Sequence, residues 1–354
     1  MTQIKGRKAD HINICLNERI EPDYDYWSDV RLLHEALPEV DLDEIDTSTN
    51  VLGKDLEFPF IVTAITGGFE GAKRINANIA KACSELGIGM GVGSERAGID
   101  GVDTESYAVI KEYDVPLVIG NVGAPQLIPQ KGKRAYGADD VIRARELIDA
   151  DVVAIHLNFL QEVVQPEGDT NARGCYDAIR SIARECPIIA KETGAGFKPG
   201  TLNRLYSVGV KAIDLAGMGG TSFSAVELYR ARKADDRIRS RLGETFFDWG
   251  IPTPVSLESA DRHIPMIASG GVRTGLDVAR AISMGAVCAG AANLVLKEAA
   301  QSAEAVKDKL TIIREELKAA MLLTGSPDIR ALSRAEHVIL GRTGEWIRGM
   351  QNGC

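Results

Sequence analysis

The chain has 354 residues, 45% apolar and 26% charged, with a net charge of −9. That is ordinary for a soluble globular protein of one large domain or two smaller ones. The acidic balance excludes a nucleic-acid surface as the main function, so any phosphate site must be a local basic pocket.

Cys15, Cys83, Cys175, Cys186, Cys288 and Cys354 are scattered, with no Cys-x-x-Cys pair. This argues against zinc and for a reducing compartment. The opening MTQIKGRKADHINICLNERIE is charged throughout and has no apolar signal core. The uncharged run Ala281 to Leu296, which no other exceeds in length, is too short to span a bilayer and is broken by Gly285 and Gly290. A cytoplasmic protein with no membrane segment is expected.

Residues 1–57 read as an extension folding over the mouth of the domain that follows, and their Arg7-Lys8-x-x-His11 is the first basic cluster. Eight apolar runs then succeed one another, most ending in glycine or a polar residue. They are FIVTAITGG (60–68), IGMGVGS (88–94), PLVIGNVG (116–123), VVAIHLN (152–158), PIIAKETG (187–194), AIDLAGMGG (212–220), PMIASGG (265–271) and AVCAGAA (286–292). Between them the apolar spacing is helical, as at Ile75, Ile79, Cys83 and Leu86, and again at Val278, Ala281 and Ile282.

Apolar strands alternating with helices give a parallel sheet covered on both faces. Eight such units within residues 58–325 predict an α/β fold, a closed (β/α)8 TIM barrel, which usually takes about 250 residues. No Gly-x-Gly-x-x-Gly follows any run, so an open dinucleotide-binding sheet loses its main support. The connection 221–264 is a long insertion after strand six, with room for a helix and a further excursion. The helical stripe Val306, Leu310, Ile313, Leu317 and Met321, ended by Gly325 and Pro327, reads as core packing or a subunit contact. Residues 326–354 read as a C-terminal helical tail.

Active sites of such barrels lie where the strand C-termini and helix N-termini converge. Here those ends carry Thr66-Gly67-Gly68, Ser94-Glu95-Arg96, Asn121, His156/Asn158/Gln161/Glu162, Lys191-Glu192-Thr193, Gly217 to Ser222, Ser269 to Arg273, and Ala291-Ala292-Asn293. Polar and glycine residues at one end of every strand are more than packing requires. In VVAIHLNFLQE (152–162), alternation sends Ala154, His156 and Asn158 to one face and Val153, Ile155 and Leu157 to the other.

ASGGVRTG sets Gly270 and Gly271 ahead of Thr274, a helix N-cap, with Arg273 as matching charge. Close backbone approach and the helix dipole suit a phosphorylated ligand, FMN or a sugar phosphate. Lys191, inside a strand, is either a cation beside the electron-rich edge of a flavin or a Schiff-base lysine. Thr66, Ser94, Asn121 and Thr221 are neutral partners for a flavin's polar edge. Arg7, Lys8 and His11, with Arg96, would hold a second anion over the mouth. Glu162 would reach that anion through Mg2+, which bridges carboxylate to diphosphate oxygens.

Taken together, RKADH (7–11), TAITGG (63–68), GVGSERAG (91–98), GNVGAPQ (120–126), HLNFLQEVVQPEGD (156–169), KETGAG (191–196), DLAGMGGTS (214–222), ASGGVRTGLD (268–277) and LLTGS (322–326) carry a family resemblance. In this order, over essentially the whole chain, they resemble the type 2 isopentenyl-diphosphate isomerases, FMN-dependent (β/α)8 enzymes. The resemblance implies substrate binding by Arg7, Lys8, His11 and Arg96, with Ser94 and Glu95 in the same segment, and by His156, Asn158 and Gln161. It implies Mg2+ on Glu162, and flavin contacts at Ala64, Ile65, Thr66, Ser94, Asn121, Lys191, Thr221, Gly270, Gly271, Arg273, Ala291 and Ala292. Glu227 matches an acidic position near the flavin and joins Gln161 and His156 in the implied catalytic group. Glu95 stands where Gln or Met is usual, and its side chain is expected to turn away from the diphosphate. Phe223 stands where many members have Trp.

The implied reaction interconverts isopentenyl and dimethylallyl diphosphate in isoprenoid biosynthesis. It is a 1,3-proton shift in which reduced FMN is acid and base, and NAD(P)H serves only to reduce the flavin. A homo-oligomer, tetramer or octamer, is also implied. An FMN-dependent 2-hydroxy-acid oxidase or dehydrogenase on a similar barrel is the alternative; it needs a histidine base and paired arginines at later strand ends. Here the histidine is on strand four and only Arg273 comes late. A non-catalytic flavin- or phosphate-binding module leaves HLN-x-x-QE unexplained.

Overall fold

The computed structural model describes residues 2–353, so Cys354 lies outside the described residues. Each apolar run supplies one strand: β1 (Phe60–Val62), β2 (Gly89–Gly91), β3 (Val118–Gly123), β4 (Val152–Leu157), β5 (Ile188–Glu192), β6 (Ile213–Asp214), β7 (Met266–Ser269) and β8 (Cys288–Ala291). All pair in parallel in chain order, and β8 closes on β1 to complete the barrel. Strand alternation divides the apolar side chains into two layers. Ile61, Ile119, Ala154, Ile189, Ile267 and Cys288 fill the barrel interior. Phe60, Val62, Val153, Ile155, Ile188 and Ala268 face outward into the larger core beneath the helices.

The helices follow from their stripes. In α2 (Ala72–Leu86), Ile75, Ile79, Cys83 and Leu86 are buried, and Gly87, at φ 63°, ends it in the left-handed conformation. Three helices occupy the insertion after β6: α7 (Phe223–Lys233), α8 (Arg237–Thr245) and α9 (Thr253–Glu258). Thr274 caps α10 (Gly275–Ser283), its hydroxyl accepting from the Asp277 N–H. The late stripe lies on α11 (Ala303–Leu322), where Val306, Leu310, Ile313, Leu317 and Met321 are buried against α2 and α10. Of its two readings, core packing is what the fold uses. Cys15, Cys83, Cys175, Cys186 and Cys288 are free thiols.

The two ends of the chain correct the sequence-based boundaries. Only the start of residues 1–57 covers the mouth, through α1 (Thr2–Asn17), whose Ile14 and Cys15 pack on Ala225 and Val226 of α7. The antiparallel hairpin Thr49–Val51/Lys54–Leu56 instead plugs the opposite end, where Val51 and Leu56 join the interior cluster. Lys54 pairs there with Asp151, just ahead of β4, at 2.7 Å. The tail is not wholly helical: His337–Ile339 pairs antiparallel with Val30–Leu32, ahead of the helix Gly341–Gly353. These pairings tie both termini to the barrel wall.

Because Leu56 is fully packed in the plug, Leu56→Ala should cost ~2–5 kcal/mol of unfolding free energy in urea titration. Flavin affinity should be unchanged. A loss below ~1 kcal/mol would contradict the plug as a structural closure.

Candidate active site

One cavity of about 560 Å3 opens at the C-terminal rim, beneath α1. At its floor, β3 and β4 set Asn121 beside His156. The Asn121 amide donates to the Val92 carbonyl at 3.1 Å, so its Oδ1 accepts from His156 Nδ1 at 2.7 Å. This arrangement assigns the imidazole proton to Nδ1 and leaves Nε2 an acceptor. Burial, with the nearby Lys191 and Lys8 charges, brings the His156 pKa down to about 3. A neutral ring results, and it adds no positive charge for an anion.

Past β4 the chain turns into α4 (Phe159–Val164), which brings Asn158, Gln161 and Glu162 together. Asn158 Nδ2 donates to Gln161 Oε1 at 3.1 Å and to Glu162 Oε1 at 2.8 Å. Gln161 Nε2 donates to Glu227 Oε1 at 3.1 Å, so its carboxamide is clamped at both ends. Glu162 Oε2 accepts the Asp169 N–H at 2.6 Å and the Gln165 amide. Burial pushes the Glu162 carboxyl up. Beside it, Asn158 Oδ1 and Gln165 Oε1 are buried without a partner among the described residues. Two idle amide oxygens flanking a carboxylate are hard donors suited to Mg2+. No cluster of three or more His, Cys, Asp or Glu that could hold a metal ion lies among the described residues.

The cations come from above. Lys8 Nζ donates to the Ser94 carbonyl at 2.9 Å and to Tyr107 Oη at 2.8 Å. Burial and the adjacent Arg7 lower the Lys8 pKa to about 7. Arg7 also lines the cavity, with its Nε buried and unpartnered and Glu167 at 3.8 Å. Arg96 is held by Asp169 at 3.3 Å. His11 Nε2 meets Glu227 Oε1 at 2.8 Å.

On the other wall, Lys191 Nζ is 2.5 Å from Asp214 Oδ2, and Ser269 Oγ donates to the same carboxylate. An ion-paired ammonium is the wrong state for a Schiff-base nucleophile, so the cationic reading of Lys191 is favoured. Beyond it lies a cradle of backbone. The Gly270 carbonyl accepts from Trp27 Nε1 at 3.0 Å and from Thr253 Oγ1 at 2.8 Å. In a trans peptide the Gly271 N–H then points the opposite way. The N–H groups of Gly270, Gly271 and Val272 have no acceptor among the described residues. A Cβ on Gly270, at φ 97°, would lie 2.3 Å from the Gly217 carbonyl, so only glycine fits. Idle N–H groups beside a cation and polar walls fit FMN.

Ala64, Ile65, Thr66, Ser94, Asn121, Lys191, Thr221, Gly270, Gly271, Arg273, Ala291 and Ala292 all line this cavity, as do Arg7, Lys8, His11, Arg96, His156, Asn158, Gln161 and Glu162. Two expected site residues do not. Glu95 is fully buried and faces away, its Oε2 accepting the Asn121 N–H at 2.7 Å, so it makes no side-chain contact with a cavity ligand. Glu227 is also fully buried and acts behind Gln161 and His11. The α10 N-terminus is taken as well. Asp277 accepts from the Arg273 and Thr274 N–H groups at 3.1 Å, and Glu316 accepts from Gly275 at 2.6 Å. Any phosphate there meets the glycine cradle rather than the helix end.

Sequence reading missed Asp214, Asp169, Gln165 and Tyr107. Asp214 had a signal: it sits in the strand next to an inward lysine and pairs with it in register. Glu192, by contrast, is structural, its carboxylate accepting the N–H groups of Thr193 and Gly194 at 2.6 and 2.7 Å.

Residues 251–339 match the family described as FMN-dependent dehydrogenase. The chain is 47% identical over 345 residues to the isopentenyl-diphosphate delta-isomerase of Thermoplasma volcanium, covering 97% of this chain and 99% of that one. The protein of the same name from Archaeoglobus fulgidus is 44% identical, with 96% and 97% covered. Among solved structures, an (S)-mandelate dehydrogenase superposes with a TM-score of 0.66 at 14% identity, covering 96% of this chain and 97% of that one. A mandelate oxidase variant superposes at 0.61 and 15%, with 96% and 99% covered. At such identities these two structures speak to the fold alone.

Burial raises the Glu95 pKa from 4.5 to about 8, so the folded protein holds it protonated at neutral pH, a shape and charge close to Gln. Unfolded, it loses its proton near 4.5, so native stability should fall by at most ~1.4 kcal/mol per pH unit as pH rises from about 4.5 to about 8. Glu95→Gln should remove that fall, and its stability advantage over the parent should grow with pH in denaturation series. A constant difference across this range would contradict the assignment.

Proposed function

The chain belongs to the FMN-dependent isopentenyl-diphosphate delta-isomerase family, and from that premise we propose how its residues divide the work. The enzyme interconverts isopentenyl and dimethylallyl diphosphate. The chemical difficulty is that an unactivated alkene is a very poor base. A proton must reach its terminal carbon, and another must leave the carbon on the far side of the branch, with no net redox change. The site must therefore exclude water and hold the diphosphate, which would otherwise depart.

Reduced FMN, when bound, supplies the acid and base for this proton shift. Glu162, with the amide oxygens of Asn158 and Gln165, would hold Mg2+, which would supply positive charge for the diphosphate. NAD(P)H supplies the electrons that reduce the flavin. Thr66, Ser94, Asn121, Thr221 and Lys191 would hold the flavin's ring system, with the Gly270–Gly271 cradle at its phosphate.

The chain's own residues do the rest. Arg7, Lys8 and Arg96 supply the positive charge for the diphosphate, with His11 and Asn158 as hydrogen-bonding partners. Neutral His156 offers Nε2 as an acceptor, so it orders a donor such as a bound water rather than pairing with phosphate directly. Gln161 cannot rotate, because Asn158 and Glu227 hold both ends of its amide. That clamp fixes the wall against which the branched alkene lies, and α1 closes over it. The amide clamp between α4 and α7 carries this reading, because a passive phosphate-binding module has no need of it. We also propose a homo-oligomeric cytoplasmic enzyme of isoprenoid biosynthesis; among the described residues, no helix is long and apolar enough to cross a membrane.

Anaerobically reduced protein in D2O should exchange deuterium into isopentenyl diphosphate over many turnovers without a hydride acceptor. A strict need for an acceptor would favour the oxidase reading. Glu162→Gln should lower turnover about ten- to a hundredfold and raise the Mg2+ requirement. Unchanged activity with unchanged Mg2+ dependence would discard the metal role.

A further inference from the structure

We propose that Lys309, on α11, binds the phosphate of the flavin and makes the site select FMN over riboflavin. The inference rests on the FMN reading of the cavity and concerns its charge balance. The expected cation at the glycine cradle, Arg273, is already committed. Its guanidinium lies 2.8 Å from Glu21 and 3.7 Å from Asp25, and it donates to the carbonyls of Gly219 and Gly271 at 2.6 and 2.9 Å. One cation against two carboxylates leaves this end formally negative before any phosphate arrives. The α10 N-terminus gives no relief, being capped by Asp277 and Glu316.

Lys309 is half-buried and lines the same cavity beside Asn293 and Leu294, in the loop after β8. No carboxylate lies within ion-pair distance of it among the described residues, whereas Lys307 on the same helix pairs with Glu85 at 2.8 Å. Its direction is fixed by helix periodicity. Ile313 and Glu316, four and seven residues on, share its face. Both abut the start of α10: Glu316 accepts the Gly275 N–H at 2.6 Å, and a Cβ on Gly275 would fall 2.1 Å from the Ile313 carbonyl. The face that holds α10 therefore carries Lys309 toward the cavity, and a phosphate dianion in the cradle supplies its missing partner. A lysine there only for solubility would not distinguish a phosphorylated flavin from an unphosphorylated one.

The test is equilibrium titration of flavin-free full-length protein with FMN and, separately, with riboflavin, followed by flavin fluorescence. Lys309→Met should raise the FMN dissociation constant roughly tenfold or more and leave that of riboflavin within about twofold. Lys309→Arg should recover most of the FMN affinity, and the methionine variant should show a shallower salt dependence. Parallel losses for both ligands, or undiminished FMN affinity, would overturn the proposal. If the parent protein bound no FMN at all, the flavin reading would fall, and the proposal with it.

Discussion

Everything at the mouth of the barrel depends on one buried carboxylate. Glu227 is fully enclosed, and an enclosed charge is tolerated only when it is paired. Its partners come from three parts of the chain: His11 on α1, Gln161 on α4, and Arg230 one turn along α7 at 2.5 Å. Burial alone would push this carboxyl up, but the His11 hydrogen bond and the Arg230 charge bring it below the ordinary value. Ionised Glu227 thus ties α1 to the Gln161 amide, the group proposed to face the alkene. Arg230 extends the link through Glu167 to Arg7, at 3.0 and 3.8 Å.

The rest of the rim obeys a complementary rule. A native protein satisfies most of its buried polar groups, so idle ones that line a cavity point to a ligand there. Asn158 Oδ1, Gln165 Oε1 and Arg7 Nε are idle on the side proposed for the diphosphate. The backbone N–H groups of Gly270, Gly271 and Val272 are idle on the side proposed for the flavin. Asp214, which positions others, is engaged by Lys191 and Ser269. Glu95 is engaged through one oxygen: Oε2 accepts the Asn121 N–H, while Oε1 is buried without a partner among the described residues. Turned inward onto the Asn121 N–H and held protonated, it does the work of a neutral side chain, two bonds removed from His156.

The barrel was legible because each strand is a short apolar run ended by glycine, and the helical stripes between runs are unambiguous. The cavity lining was legible where it is local: HLN-x-x-QE and the paired glycines bring several lining residues together in a few consecutive positions. What stayed hidden depends on distant partners. Glu95 and Arg96 are neighbours in sequence, yet one faces the core and the other the cavity, a difference set by Asn121. The extension reads as one unit, but Val51 and Leu56 have an apolar destination at the far end of the barrel while Lys8 and His11 have polar ones at the mouth. Lys309 was masked by the apolar stripe of its own helix.

Among the described residues His11 and Gln161 both hydrogen-bond to Glu227, so a double-mutant cycle on kcat/KM with His11→Ala and Gln161→Ala tests the central claim. A shared buried carboxylate predicts a coupling energy of ~1 kcal/mol or more, the double variant losing less than the sum of the single losses. Strictly additive losses would contradict the account, because α1 and the Gln161 amide would then act independently.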